Sequence, residues 1–196
     1  MTVLVLAASA WALLAGCAAA PGTRRPAQAA EDVEELLARH REAAGLFEEA
    51  LEAGDRDERK RLYGQAIELD PSLGKAHNNL GLIHLSEGDY GEAVRSLREA
   101  ARRMPSRPEP RFNLGYTYEV VGRLWSAEEQ YRAALELAPD EPDYLESLAR
   151  VLLRRGRRGD EVEELLRRAL ALESRPEHIE WIRERLEEIR RYAFPS

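Results

Sequence analysis

Few side chains in this sequence have the types and spacing that chemistry requires. The chain has four histidines and one cysteine. His77 and His84 stand seven residues apart, two helical turns, so on a helix they share one face and suggest a metal pair. A protein zinc site takes three or four ligands, and no third ligand is placed to join them. The favoured reading is two packing histidines. Lone Cys17 excludes an intrachain disulfide and any cysteine-rich zinc site. Adjacent carboxylates such as Glu34-Glu35 and Glu48-Glu49 fit solvated helix faces better than acid–base catalysis. Arg150, Arg154, Arg155, Arg157 and Arg158 form a basic cluster that could hold an anion. Arg155, Arg157 and Arg158 are expected to be a solvated helix end, where cations also suit the dipole. There is no P-loop, no G-x-G-x-x-G after a strand, no G-x-S-x-G and no H-E-x-x-H. The expectation is a non-enzyme with no cofactor, no metal and no small-molecule substrate.

The elements that position these residues are helices. Among 196 residues, Ala, Leu, Glu, Arg and Lys supply 114, and Val, Ile and Thr only 16. That balance favours helix and leaves little for strands, so the fold class is all-α. The net charge is −7 with both signs mixed throughout, which is not the footprint of a nucleic-acid binder.

The chain also repeats itself. Pro71, Pro105 and Pro139 are 34 residues apart, as are Ala66, Ala100 and Ala134. Leu46, Leu80, Leu114 and Leu148 keep the same period, and so do Gly54, Gly88, Gly122 and Gly156. The glycines suit left-handed turns that end a first helix. Asp55 with Glu58, and Asp89 with Glu92, read as capping boxes opening second helices. The prolines stop the second helices, because the residue before a proline avoids the helical region.

A 34-residue period is that of the tetratricopeptide repeat, and residues 40–174 resemble that family. The best stretches are HNNLGLIHLSEGDYGEAVRSLREAARRMP from His77 and RFNLGYTYEVVGRLWSAEEQYRAALELAP from Arg111. The resemblance implies a helix–turn–helix solenoid over 31–192, with repeats at 40–73, 74–107, 108–141 and 142–175. The leading helix is expected to begin near Glu31. Gly81, Gly115 and Ala149, with Ala93 and Ala127, give small surfaces for close helix contact, beside the bulk of Tyr63, Leu97 and Tyr131. The fourth repeat carries one extra residue, and Ser174 replaces its closing proline. A capping helix over 176–192 follows, with Ile179, Ile182, Leu186 and Ile189 on one stripe.

In that family the first helices of successive repeats line a concave face. Here the lining positions hold Lys75, Asn78, Leu82, Leu85 and Ser86, then Glu109, Phe112, Tyr116, Glu119 and Val120, then Asp143, Glu146, Arg150, Leu153 and Arg154. The groove is expected to take a protein or peptide partner, with Phe112 and Tyr116 as anchors and Arg150 and Arg154 pairing an acidic group. The alternative is that Phe112 and Tyr116 pack against neighbouring first helices. Asn79 and Asn113 share a repeat position with the asparagines of carboxylate-clamping repeats, but Glu109 and Asp143 stand where a clamp favours cations.

The amino end reads as an address. Val3 to Leu14 is an uncharged apolar run, too short for a comfortable transmembrane span. It ends in Leu14-Ala15-Gly16-Cys17, which resembles the lipobox of bacterial lipoproteins, although no Lys or Arg precedes Arg24. The resemblance implies a signal peptide over 1–16 and a lipid-bearing Cys17. Ala18, where an Asp retains such proteins at the inner membrane, points to the outer membrane, facing the periplasm. A plain membrane anchor, or a cleaved secretory signal with Cys17 inert, are the other readings. Residues 17–30 are expected to form a tether reaching about 45 Å at most from Ala18 onward. The functional expectation is a membrane-tethered scaffold for a protein partner in the bacterial envelope. The alternatives are an accessory subunit of a cell-wall enzyme and a pilotin-like factor of type IV pilus biogenesis.

Overall fold

The structure is a computed structural model that describes residues 26–193. The signal-like segment and Cys17 lie outside the described residues. Among the described residues there are nine helices and no strand. They are α1 (Pro26–Glu52), α2 (Arg56–Leu69), α3 (Gly74–Glu87), α4 (Tyr90–Arg103), α5 (Glu109–Val120), α6 (Leu124–Leu137), α7 (Pro142–Arg154), α8 (Asp160–Leu172) and α9 (Pro176–Ala193). Helix α1 starts five residues ahead of the expected Glu31. Proline is accepted in a first turn and the following Ala-Gln-Ala-Ala favours helix, so the end of the expected tether is helical.

The described residues divide near Ala38 into an amino-terminal unit and a compact unit that begins at Arg39. In the first unit, Val33, Leu36 and Leu37 are exposed. In the second, each helix from α2 to α9 packs on the next, and the first helices α3, α5 and α7 also touch one another in series. This is the order expected of stacked helix pairs.

The pairs close where a side chain is missing. A Cβ placed on Gly81 would meet Leu97 Cγ at 2.7 Å, and one on Gly115 would meet Tyr131 Cδ1 at 2.7 Å. Ala93, Ala127 and Ala149 are fully buried at the companion positions. In the first repeat Phe47 stands at the position of Gly81, and its ring lies 5.7 Å from that of Tyr63. The core falls into two clusters. One joins Phe47, Ala50, Leu62, Tyr63, Ala76 and Ile83. The larger runs from Leu97 through Tyr131 and Leu148 to Ile182, Leu186 and Ile189 of α9. Ile179, expected on the same stripe, is only half-buried.

Three of the four turn glycines behave as expected. Gly88, Gly122 and Gly156 have φ of 81°, 75° and 79°. Each closes a Schellman motif, as where Gly88 N–H donates to Leu85 O at 3.1 Å and Asp89 N–H to His84 O at 2.9 Å. Gly54 is the exception and has no positive φ. There the chain passes from α1 to α2 through Ala53, whose N–H donates to Glu49 O at 3.0 Å. The capping boxes are also corrected. Asp55 Oδ2 accepts the Glu58 N–H at 2.9 Å, but the Glu58 carboxylate is taken by Arg61 at 2.6 Å and does not return the bond. Asp89 makes no side-chain cap, with φ −79° and ψ 62°, because its backbone already serves the Schellman motif of α3.

Helices α2, α4 and α6 stop two residues before Pro71, Pro105 and Pro139. In the fourth repeat a side chain does that work. Glu173 Oε1 accepts the N–H groups of Ser174 and Arg175, each at 2.8 Å, and so turns the chain into α9.

Gly115→Ala is expected to destabilise the full chain by about 1–3 kcal/mol, because the Tyr131 ring must move. Gly64→Ala lies in α2 with nothing within 4 Å of its added Cβ and is expected to stabilise by about 0.5–1 kcal/mol. Thermal melts followed by circular dichroism would check both; similar melting temperatures for the two variants contradict the packing role of Gly115.

Candidate partner-binding groove

The lining positions of α3, α5 and α7 form three zones. The first is polar. Asn113 Nδ2 donates to Asn78 Oδ1 at 3.0 Å, Asn78 Nδ2 to Asn79 Oδ1 at 3.3 Å, and Asn79 Nδ2 to the Tyr63 hydroxyl at 3.0 Å. These amides therefore bond one another along a ladder rather than converging on a single point. Lys75 is exposed beside it. A recess of about 230 Å³ runs past Phe47, Lys75, Asn78 and Met104.

The second zone is apolar. Leu82 is 39% exposed, Tyr116 45% and Val120 45%. Phe112 belongs elsewhere. It is half-buried, its ring is stacked on Tyr144 at 4.6 Å and 29°, and it lies 5.5 Å from Tyr131. Phe112 thus joins the third repeat to the fourth, as in the alternative reading, and Tyr116 is the aromatic that faces outward.

The third zone is an ion network that the sequence reading missed. Glu119 is 5% exposed. Its carboxylate accepts Arg150 Nε at 2.9 Å, Arg150 Nη2 at 3.2 Å, Arg154 Nη1 at 3.0 Å and the Tyr131 hydroxyl at 2.8 Å. Arg150 also donates to Ser147 Oγ at 3.1 Å and to Glu146 Oε1 at 3.3 Å. Glu146 in turn meets His178 Nδ1 of α9 at 2.6 Å. Arg150 and Arg154 were expected to await a partner's acid; both already hold Glu119, with side chains 31% and 46% exposed. The signal was present, since Glu119 and Arg150 occupy nearby lining positions of successive first helices, where opposite charges meet.

Burial alone would raise the Glu119 carboxyl, but the hydrogen bonds and charge of Arg150, with Tyr131 and Arg154, outweigh it and hold it below its ordinary value. Burial and the adjacent Glu119 charge push the Tyr131 phenol far up, so it stays a donor.

Other candidate residues resolve as packing. His77 Nε2 lies 3.2 Å from Pro71 O, and His84 is half-buried beside Glu87. His84, Glu87 and Asp89 cluster, as do Asp143, Glu173 and His178. Lys60 holds Glu87 at 2.6 Å, and Arg175 holds both Asp143 and Glu173, so a cation already occupies each cluster. The basic cluster is partly corrected. Arg155 is not solvated: its side chain is 9% exposed, paired with Glu128, with the guanidinium 3.2 Å from the centroid of the Trp125 ring. Arg157 pairs with Glu161 at 2.9 Å.

Stacked helix pairs with an inner face lined by their first helices define a helical-repeat, protein-interaction solenoid. Comparison with known proteins gives the family. Residues 45–108 and 84–151 each match a family model described as tetratricopeptide repeat. The two matches span more than half of the chain, which belongs to the tetratricopeptide-repeat family. It is 32% identical over 152 residues to a TPR repeat-containing protein of Pseudomonas aeruginosa, covering 64% of this chain and 62% of that one. It is 31% identical over 95 residues to the photosystem I assembly protein Ycf3 of a Synechococcus strain, covering 45% of this chain and 55% of that one. The chain thus spans less than two thirds of these relatives. The crystal structure of MamA shares the fold, with a TM-score of 0.59 over 71% of this chain and 85% of that one at 20% identity. Among the described residues no helix is long and apolar enough to cross a membrane.

Glu119→Gln is expected to lower stability at pH 7 by about 1–3 kcal/mol, since two arginines lose their shared anion while staying partly solvated. The folded carboxyl lies below its ordinary value near 4.5. Its contribution is therefore full above that value and disappears as pH falls through the lowered one. Melting of the two proteins at stepwise lower pH should show their difference shrinking in acid; a pH-independent difference would contradict the ion-pair origin.

Proposed function

We propose that the chain is a membrane-tethered scaffold that holds a protein partner in its groove and serves the assembly of a complex in a bacterial envelope. A single observation carries the groove reading. The polar side chains flanking the apolar zone are largely bonded to one another, whereas Leu82, Tyr116 and Val120 stay open. Exposed apolar and aromatic groups between satisfied polar rims are what a partner's apolar side chains need. Lys75, Asn78, Arg150 and Arg154 form the rims, with Arg150 and Arg154 presenting the positive edge of a salt bridge rather than bare charges. Phe112 contributes from the core side, stacked on Tyr144 and packed against the larger cluster.

The repeat fold supports a scaffolding role without catalysis, and a relative named for assembling a photosystem supports an assembly role. The tether rests on the Leu14-Ala15-Gly16-Cys17 string, which supports lipidation of Cys17 and an outer-membrane position facing the periplasm.

Two experiments test the halves separately. A photo-crosslinking residue at position 116, in living cells, is expected to trap one discrete partner. Leu82→Ala with Tyr116→Ala should weaken that capture by at least tenfold, as loss of an aromatic anchor costs ~2 kcal/mol, with the helical melt nearly unchanged. Trapping of many proteins in proportion to abundance would refute the groove. Cys17→Ala is expected to abolish incorporation of a fatty-acid analogue and release the chain from membranes; equal labelling would refute the tether.

A further inference from the structure

Most arginines in the compact unit sit against a carboxylate, a carbonyl or an aromatic group. Arg56 and Arg59 do not: neither has an ion pair or a side-chain hydrogen bond. They occupy the first and fourth positions of α2, where a cation faces the positive end of the helix dipole, and two acids of that turn are engaged elsewhere, Asp55 Oδ2 by the Glu58 N–H and Glu58 by Arg61. The Nε of Arg59 is buried and has no hydrogen-bond partner. A buried donor left without a hydrogen bond is costly to a fold, and no group among the described residues supplies one to this Nε.

Both arginines line one cleft of about 380 Å³, with Leu51 of α1, Tyr63 of α2, and Asn79 and Leu82 of α3. No carboxylate lines it. Glu87, whose carboxylate feels the charge of Arg56, is held by Lys60 at 2.6 Å. Tyr63 accepts from Asn79, which leaves its own hydroxyl hydrogen for an acceptor. Leu51 and Leu82 are 52% and 39% exposed, so an apolar wall stands on α1 and another on α3. Leu82 also belongs to the apolar zone of the groove, and the cleft continues from it.

Two guanidinium groups one turn apart and a phenolic donor call for a carboxylate. Exposed leucines on two different helices of the cleft call for apolar neighbours on both sides of it, which a chain terminus cannot supply. We infer that this cleft receives an internal acidic residue of the partner, flanked by apolar side chains, with its carboxylate on Arg56 and Arg59 and its neighbours on Leu51 and Leu82. The inference deepens the protein-binding reading and rests on it.

The test uses the full chain in detergent and a short peptide of alternating Leu and Glu, fluorescein-labelled at its amino end and amidated at its carboxyl end. Its counterpart replaces Glu by Gln. By fluorescence anisotropy the Glu peptide is expected to bind at least tenfold more tightly, with the preference narrowing as salt is raised. Arg56→Gln with Arg59→Gln, and to a lesser degree Arg56→Gln alone, should remove the preference while the melting temperature does not fall below that of the wild type. Arg123→Gln, at an exposed arginine elsewhere, should preserve it. Equal binding of the two peptides, a preference that survives the double substitution, or an equal loss in Arg123→Gln overturns the inference. So does a Gln peptide with a free carboxyl terminus that binds as tightly as the Glu peptide, since the occupant is then a chain end. The probes are synthetic and the readout needs no natural partner. Failure here therefore leaves the groove reading standing, whereas failure of crosslinking at position 116 refutes the groove itself.

Discussion

The close contact inside each helix pair is the constraint on which the rest depends. In the second and third repeats a glycine on the first helix lets a Leu97 or Tyr131 side chain lie where a Cβ would have been. Interiors pack at crystal-like density, so this clearance has no tolerance for an added methyl group without movement. These two contacts lie 34 residues apart, with Phe47 and Ala149 at the matching positions of the first and fourth repeats, and the repeat fixes where each first helix can present its outward face. The lining of the groove is a consequence of that packing.

Tyr131 shows how packing and groove are linked. Its ring fills the clearance at Gly115, touches Phe112, and carries its hydroxyl to the Glu119 carboxylate at 2.8 Å. A tyrosine rather than a leucine is used where an acid must be held inside the stack. Arg150 and Arg154 then reach Glu119 from the next repeat, and Glu146 extends the bonding to His178 on the closing helix. One carboxylate thereby ties the third repeat to the fourth, and the fourth is tied to the cap.

The fold was legible in the sequence because period, small residues, turn glycines and prolines all report backbone geometry. That agreement covers α2 to α9 and the close contacts at Gly81 and Gly115. It failed at Gly54 and Asp89, where repeat register assigned roles that the local backbone gives to other residues. The groove was legible as a set of positions but not as a set of partners. Register places Glu119, Arg150 and Arg154 on one face, yet whether a charge is spent inside the protein depends on side-chain reach between helices. Phe112 was ambiguous for the same reason: its position is on the lining, but Tyr144 offers a ring within stacking distance. Arg56 and Arg59 fall outside the lining positions altogether, and only the cleft that they share with Leu51 and Leu82, which no carboxylate lines, singles them out.

The two core clusters carry a consequence for motion. The cluster around Phe47, Leu62 and Tyr63 is small, while the one from Leu97 to Ile189 is large and continuous. In a stack where each unit leans only on its neighbours, opening begins where the least apolar surface is lost. Amide protons of the first pair should then exchange with solvent sooner than those of α5 to α8. The array would breathe from its amino-terminal side, the side on which the Arg56–Arg59 cleft lies, while the Glu119 end stays closed.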